Sequence, residues 1–255
     1  MKVDVDVAIR VDGVLLNPDE LDLLVKLSRY RSMSRVARER GVTRSAVHKR
    51  IRNLEERLGR KLVMSSPSGS YLTKAARRIV IKYLNARAQV ERDAVTVACA
   101  ETVVTDVLSA LGDLDGDVNV VVPPHGELAR FEADVIIPDD PAVVFDRAEE
   151  AAHDEPVEVR RCVLVRVGDG DGFIEVPGSA QRLYLTENGI REPEVTARVS
   201  YYLSAVEKVE EDGGWTVVPA HMIEEEGEGP EYSVMALPLT EEGVDLVEEL
   251  ERRVD

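Results

Sequence analysis

An α/β chain in two principal units, a basic winged helix-turn-helix with a long helix behind it and then an acidic body of strands and helices, is the fold class this sequence predicts. Three observations carry that reading. Charge is sorted by position: residues 1–95 hold 21 Lys and Arg against 11 Asp and Glu, a net of +10, whereas residues 96–255 hold 11 against 38, a net of −27. Short amphipathic segments with cap and stop residues follow one another between Asn17 and Gly59. Beyond residue 94, short apolar runs alternate with helical patterns, as in an α/β domain. A chain of 255 residues is long enough for two units of ordinary domain size.

Lys2 to Leu16 alternates apolar and charged residues around Asp12-Gly13, a β-hairpin with a turn dipeptide that accepts positive φ. Asn17 and Pro18 then supply an N-cap and a first-position proline, and Leu21, Leu24, Val25 and Leu27 make an apolar stripe. Ser34 is read as the cap of a shorter helix through Arg40, stopped by Gly41. Thr43 caps a third helix to about Leu58, ahead of Gly59. Two helices joined by a glycine-containing turn have helix-turn-helix geometry, with Ala37, Val47 and Ile51 as the close-packing positions.

Lys61 to Met64 and Ser70 to Leu72 flank the turn-rich segment 65–69 and read as a two-stranded wing. Thr73 caps a long helix to about Arg92 whose apolar side, Ala76, Ile79, Val80, Tyr83 and Leu84, has no evident partner in so small a first domain. Pairing with a second copy of the chain, as a dimer or tetramer, is the expectation. The acidic part opens with strand Val95 to Cys99 and a helix from Thr102 to Leu111. Strands follow at Val118 to Val122, Ala133 to Ile137, Val157 to Val167, Glu194 to Arg198, Trp215 to Val218 and Val234 to Leu239. The alternation of the first three of these strands, Val95 to Cys99, Val118 to Val122 and Ala133 to Ile137, with helical or turn segments points to a parallel sheet, and helices are expected at Gly178 to Asn188, Ser200 to Glu211 and Glu241 to Arg253.

The field a ligand meets is local, and Lys26 to Arg92 carries 19 bases against 4 acids, so the first unit is the candidate for double-stranded DNA despite the net charge of −17. Arg44, Ser45, His48, Lys49 and Arg52 lie on the outer face of the third helix and can donate to base edges and phosphates. Ser34, Thr43, Arg50, Lys61 and the wing serines Ser66 and Ser68 complete the expected DNA contacts, mostly to backbone phosphate.

Other chemistries find little support. Cys99 and Cys162 sit in separate apolar runs without a CxxC or clustered His, so neither disulfide nor zinc is expected. No cofactor and no metal is expected. The GDGDG run at Gly168 to Gly172 fails as a calcium loop because Phe173 and Ala180 stand where ligands are needed, and it reads as a hairpin turn. No nucleophile-elbow sequence or histidine cluster marks an enzyme. No apolar run approaches the roughly 20 residues that span a bilayer, and a cytoplasmic location without membrane contact is the expectation.

The stretch GVTRSAVHKRIRNLEERLGRKLV, Gly41 to Val63, followed by Leu72-Thr73 and preceded by SMSRVARER, resembles the winged helix-turn-helix of LysR-type transcriptional regulators. The hairpin ahead of the first helix is more similar to the DNA-binding domain of molybdate-responsive ModE proteins, which keeps a molybdate or tungstate sensor as an alternative. A constitutive DNA-binding or architectural protein with a ligand-free second domain is the other. The acidic part resembles a shortened LysR-type effector domain through Val95 to Leu108, Ala133 to Ile137, Pro177 to Leu185 and Gly213 to Ala220. That resemblance implies a division into a DNA-binding domain at 1–72, a linker and dimerisation helix at 73–93, and an effector-binding domain at 94–255. The last would be a two-lobe, periplasmic-binding-protein-like α/β domain, with lobe 1 at 94–141 and 233–255 and lobe 2 at 142–232.

A small effector would then lie between lobes at strand carboxyl ends, beside helix N-termini. The candidates are Ala100, Glu101 and Thr102 after the first strand, His125 and Gly126 after the second, and Ser179, Ala180, Ser200 and Pro219 from the other lobe. Ala100 replaces the serine frequent in relatives, and Glu101 adds a charge unfavourable to anions.

Overall fold

The computed structural model describes residues 7–66, 69–88, 94–112, 118–152, 156–223 and 227–254. Of the predicted hairpin, residues 2–6 lie outside the described residues; the rest forms β1 (Ile9–Val11) and β2 (Val14–Leu16), paired antiparallel. Asp12 and Gly13 turn between them at φ of 48° and 82°. In α1 (Pro18–Tyr30), the Asn17 side chain accepts from the Glu20 N–H while Glu20 accepts from the Asn17 N–H, a reciprocal cap.

The next helix corrects the expected cap. In α2 (Met33–Glu39) Ser32, not Ser34, accepts from the Arg35 N–H, because buried Met33 draws the helix start back and leaves Ser34 exposed inside the first turn. Gly41 takes φ of 62°, and Thr43 caps α3 (Arg44–Leu58), which Gly59 ends in the left-handed region. Val47, Ile51, Leu54 and Leu58 face inward. Strands β3 (Val63–Ser66) and β4 (Gly69–Leu72) pair antiparallel as the wing. Thr73 then accepts from Ala76 N–H at the start of α4 (Lys74–Ala88).

Contacts divide the chain into two compact units: Met1–Ala94 with Thr105–Val121, and Val95–Val104 with Val122–Asp255. Strand β5 (Val95–Cys99) belongs to the second; most of α5 (Val104–Ala110) and all of β6 (Val118–Val121) belong to the first. In that first unit Arg31 pairs with Asp106 at 3.1 Å and the Tyr30 hydroxyl donates to the Gly112 carbonyl at 3.0 Å. The expectation that the apolar side of α4 has no evident partner within the small first domain is corrected. Ala76, Ile79, Val80, Ile81, Tyr83 and Leu84 are buried, and α4 packs on α1 and β6. Thr105–Val121 thus supplies apolar cover that the first 94 residues lack.

The second unit continues through α6 (His125–Leu128), β7 (Val135–Ile137), α7 (Pro141–Asp146), β8 (Val157–Val167), β9 (Phe173–Glu175), α8 (Gln181–Glu187), β10 (Val195–Arg198), α9 (Tyr202–Asp212), β11 (Thr216–Pro219), β12 (Glu231–Pro238) and α10 (Glu241–Val254). Its strands run in the order β11-β8-β12-β7-β5, with β9 and β10 as a separate parallel pair. The parallel pairing expected of the first strands holds for β5 and β7, but the sheet as a whole is mixed: β12 is antiparallel to both β7 and β8, and β8 to β11. The reason is visible in the side chains. β7 is apolar and buried throughout, whereas β8 carries exposed Glu158, Arg161 and Arg166 and β12 alternates from Glu231 to Ala236, the one-sided exposure usual of antiparallel strands. Nor is GDGDG a hairpin turn, since β9 pairs with β10 and not with β8; Gly168 and Gly170 instead let this loop approach Gly214 so closely that a Cβ at either would stand 2.4 Å from its backbone. Two apolar clusters fill the unit, one around Tyr202, Ile174 and Val218, the other around Ala98, Ile136 and Leu237.

Candidate functional site

Helical periodicity fixes what α3 presents. With Val47, Ile51, Leu54 and Leu58 turned inward, Arg44, Ser45, His48, Lys49, Arg50 and Arg52 are exposed. Among the described residues, Arg44, His48 and Lys49 have no ion-pair or side-chain hydrogen-bond partner. Arg50 pairs with Asp19 at 2.8 Å and Arg52 with Glu56 at 3.0 Å. Thr43 and Ser45 share a hydroxyl contact of 2.9 Å. In the wing, Ser66 donates to the Gly69 carbonyl and Ser68 lies outside the described residues. An open groove of about 650 Å³ runs past His48, Arg52, Arg60, Lys61 and Ser65.

The link between helix and wing is Glu55, buried at 8% exposure on the inward face of α3. Its Oε1 accepts from the N–H groups of Leu62 at 2.8 Å and Val63 at 3.2 Å, and its Oε2 from Lys61 Nζ at 2.8 Å. Burial alone pushes this carboxyl up, but Lys61 and the two N–H donors outweigh it and leave it below the ordinary glutamate value. The carboxylate therefore anchors the wing to the helix and leaves Lys61 largely exposed at the groove.

In the second unit, seven of the nine expected effector residues are buried: Ala100, Glu101, Thr102, His125, Ser179, Ala180 and Pro219; Gly126 and Ser200 are exposed. Several converge. Glu101 Oε1 accepts from the Leu203 N–H at 3.2 Å and lies 3.9 Å from His125 Nε2, while the His125 N–H donates to the Ser200 carbonyl at 3.3 Å. Gly178, at φ of 74°, passes so near that a Cβ there would stand 2.7 Å from the His125 carbonyl. The Ala180 N–H donates to Asp139 at 2.9 Å, and Ser179 turns its hydroxyl to the Val176 carbonyl. Pro219 is drawn into the β8–β11 ladder. Burial pushes His125 down and keeps it neutral against the pull of Asp139 and Asp140; both ring nitrogens are without a hydrogen-bond partner among the described residues. Asp139, 1% exposed, accepts from the Tyr202 and Tyr232 hydroxyls at 2.6 Å each, and burial followed by that carboxylate drives both phenols well above their ordinary value.

Residues 18–77 match the family described as "Bacterial regulatory helix-turn-helix protein, lysR family". Residues 18–77 form a LysR-type helix-turn-helix domain. A curated relative, an uncharacterised helix-turn-helix-type transcriptional regulator of Methanocaldococcus jannaschii, is 35% identical over 83 residues, which is 32% of this chain and 29% of that protein. Over whole chains, the solved LysR-family regulator CbnR is similar at 15% identity and a TM-score of 0.42, covering 93% of this chain and 99% of its own. Hydrogen-peroxide-bound OxyR of Corynebacterium glutamicum gives 15% and 0.44, covering 92% and 91%, and Vibrio fischeri DarR in complex with DNA gives 16% and 0.42, covering 92% and 98%.

Residues that matter to the LysR-type domain escaped the sequence. Glu55 looks like one more charge on a polar helix, and only the return of the chain at Leu62 shows what it holds. Arg60 follows the Gly59 stop and lines the groove, pairing with Asp12 of the hairpin at 2.6 Å. Asp139, Tyr202 and Tyr232 lie 93 residues apart at the extremes, and no local spacing links them. No helix among the described residues is long and apolar enough to cross a membrane.

Proposed function

We propose that this chain is a cytoplasmic, sequence-specific DNA-binding transcriptional regulator whose second unit binds a small-molecule effector. The outer face of α3 carries the reading: three donors without a partner among the described residues, Arg44, His48 and Lys49, stand on a helix whose opposite face is locked into the LysR-type domain. Arg44, Ser45, His48 and Lys49 read base edges in the major groove. Arg50, Arg52, Lys61, Ser34, Thr43, Ser66 and Ser68 hold phosphates. The ion pairs of Arg50 and Arg52 are exposed and exchange for phosphate at little cost, each worth about 0–1 kcal/mol. Two copies place their recognition helices in successive major grooves, meeting α4 on faces other than its buried stripe. Ala100, Glu101, Thr102, His125, Gly126, Ser179, Ala180, Ser200 and Pro219 surround the proposed effector position, and the chain works as a regulator rather than an enzyme.

The test is anisotropy of labelled duplexes from the chain's own upstream region, titrated at several salt concentrations. With Arg50, Arg52 and Lys61 of each of two copies on phosphate, about six charges are neutralised, and log K is expected to fall against log salt with a slope of about −5. Absence of salt-sensitive association with every duplex tried overturns the proposal.

A further inference from the structure

We propose that Glu101 is a built-in occupant of the carboxylate seat at the N-terminus of α9, so that the second unit carries its own anion there and takes no small carboxylate from solution. This rests on the reading of the second unit as an effector domain and concerns the ligand class that its cluster around Glu101 admits. Helix α9 begins without a side-chain cap: Tyr201 occupies the cap position and makes no capping hydrogen bond. Its first N–H groups, which have no acceptor within the helix, and its dipole favour an anion. That anion is supplied from 102 residues earlier in the chain, by Glu101 Oε1 on the Leu203 N–H. The Glu101 side chain is 1% exposed, so the seat is occupied and closed to water at once.

His125 is the second observation. Its side chain is wholly buried, its Nε2 stands 3.9 Å from the Glu101 carboxylate, and both ring nitrogens lack hydrogen-bond partners among the described residues. A buried imidazole without partners among the described residues leaves polar capacity beside the Glu101 carboxylate that an anion in this seat can face. Its ring stands edge-on to Tyr202, 4.9 Å between centroids at 70°, which fixes where it points. The Thr102 hydroxyl is likewise buried and without a hydrogen-bond partner. Asp139, close behind Tyr202, adds a further negative charge. A second carboxylate brought in from solution would meet two buried like charges, whereas removal of Glu101 leaves an anion-shaped void with the Leu203 N–H at one end and the His125 ring at the other.

The experiment is anion rescue in the full-length chain. Thermal midpoints are measured for wild type, Glu101→Ala and Glu101→Gln in sodium acetate and in equimolar sodium chloride, with methylammonium chloride as the cationic probe. Glu101→Ala is expected to melt several degrees below wild type and to recover by about 3 °C or more in acetate relative to chloride, saturating with concentration. Wild type and Glu101→Gln, whose seat stays filled by an oxygen on the Leu203 N–H, show no such difference. If Glu101→Ala does not fold alone, its refolding yield in acetate replaces the melt, and acetate is expected to restore it where chloride does not. Equal response of all three proteins to acetate, no response of Glu101→Ala in either format, or rescue by methylammonium instead of acetate overturns the proposal. None of these readouts involves DNA, so failure here is distinct from failure of the regulator reading.

Discussion

Replacing Glu55 by alanine removes the carboxylate that ties the wing to α3, and its cost follows from the contacts. Two main-chain donors, Leu62 N–H at 2.8 Å and Val63 N–H at 3.2 Å, lose a charged acceptor, and Leu62 is fully buried. A hydrogen bond to a charged group contributes about 1.5–3 kcal/mol, and an orphaned buried donor costs about 1–3 kcal/mol. The Lys61 contact adds little because its ammonium is mostly in water. Together these give about 2–4 kcal/mol for Glu55→Ala, near the upper range of single substitutions. Glu55→Gln keeps one oxygen for the Leu62 N–H and is expected to cost about 1 kcal/mol. The assay is urea unfolding followed by far-UV circular dichroism, reading the transition of the first unit. The native carboxyl sits below its unfolded value, so its contribution is present above about pH 4.3 and fades as pH falls below it. Glu55→Ala within 0.5 kcal/mol of wild type, or Glu55→Gln as costly as Glu55→Ala, refutes the reasoning.

Three further outcomes are expected. Gly69→Ala places a Cβ 2.6 Å from the Arg31 carbonyl oxygen at φ of 147°, so it should destabilise the wing by about 2 kcal/mol or more, and a thermal midpoint unchanged within a degree contradicts that. Arg44→Ala should lower discrimination between operator and random DNA by about 1–3 kcal/mol in competition binding; equal losses on both sequences remove its assigned role. Burial depresses His125 below its unfolded value, so the native state resists a proton that the unfolded state accepts, and stability should be full above about pH 6.5 and decline below it. His125→Phe should flatten that decline in urea midpoints measured from pH 7.5 to 5, and an identical slope in both proteins counts against the assignment.

Local chemistry accounts for what could be read in advance in the first unit. Asn17 with Glu20, Thr43, Gly41 and Gly59 act within one turn of themselves, and a 3.6-residue period is enough to turn Arg44, His48 and Lys49 outward once Val47 and Ile51 are inside. Ser32 displaced Ser34 as cap because two serines two residues apart offer the same hydroxyl, and only the burial of Met33 chooses between them. In the second unit, Glu101, His125 and Ser179 could be named as polar residues following apolar runs. Their partners could not all be named, since Leu203 meets Glu101 from 102 residues away and Ser200 accepts from the main-chain N–H of His125.

From its residue order alone this chain determined a basic reading helix, its caps, its wing and an acidic α/β body, because helix period, turn residues and charge segregation are properties of neighbours. Tertiary structure alone decided that the sheet is mixed, that Thr105–Val121 covers α4, that Glu55 holds the N–H groups of the returning chain at Leu62 and Val63, and that Glu101 holds one 102 residues further on. Those outcomes depend on which distant groups meet once apolar surface is buried. A carboxylate's preference for an unpaired N–H carries no record, in its own neighbourhood, of where that N–H will be.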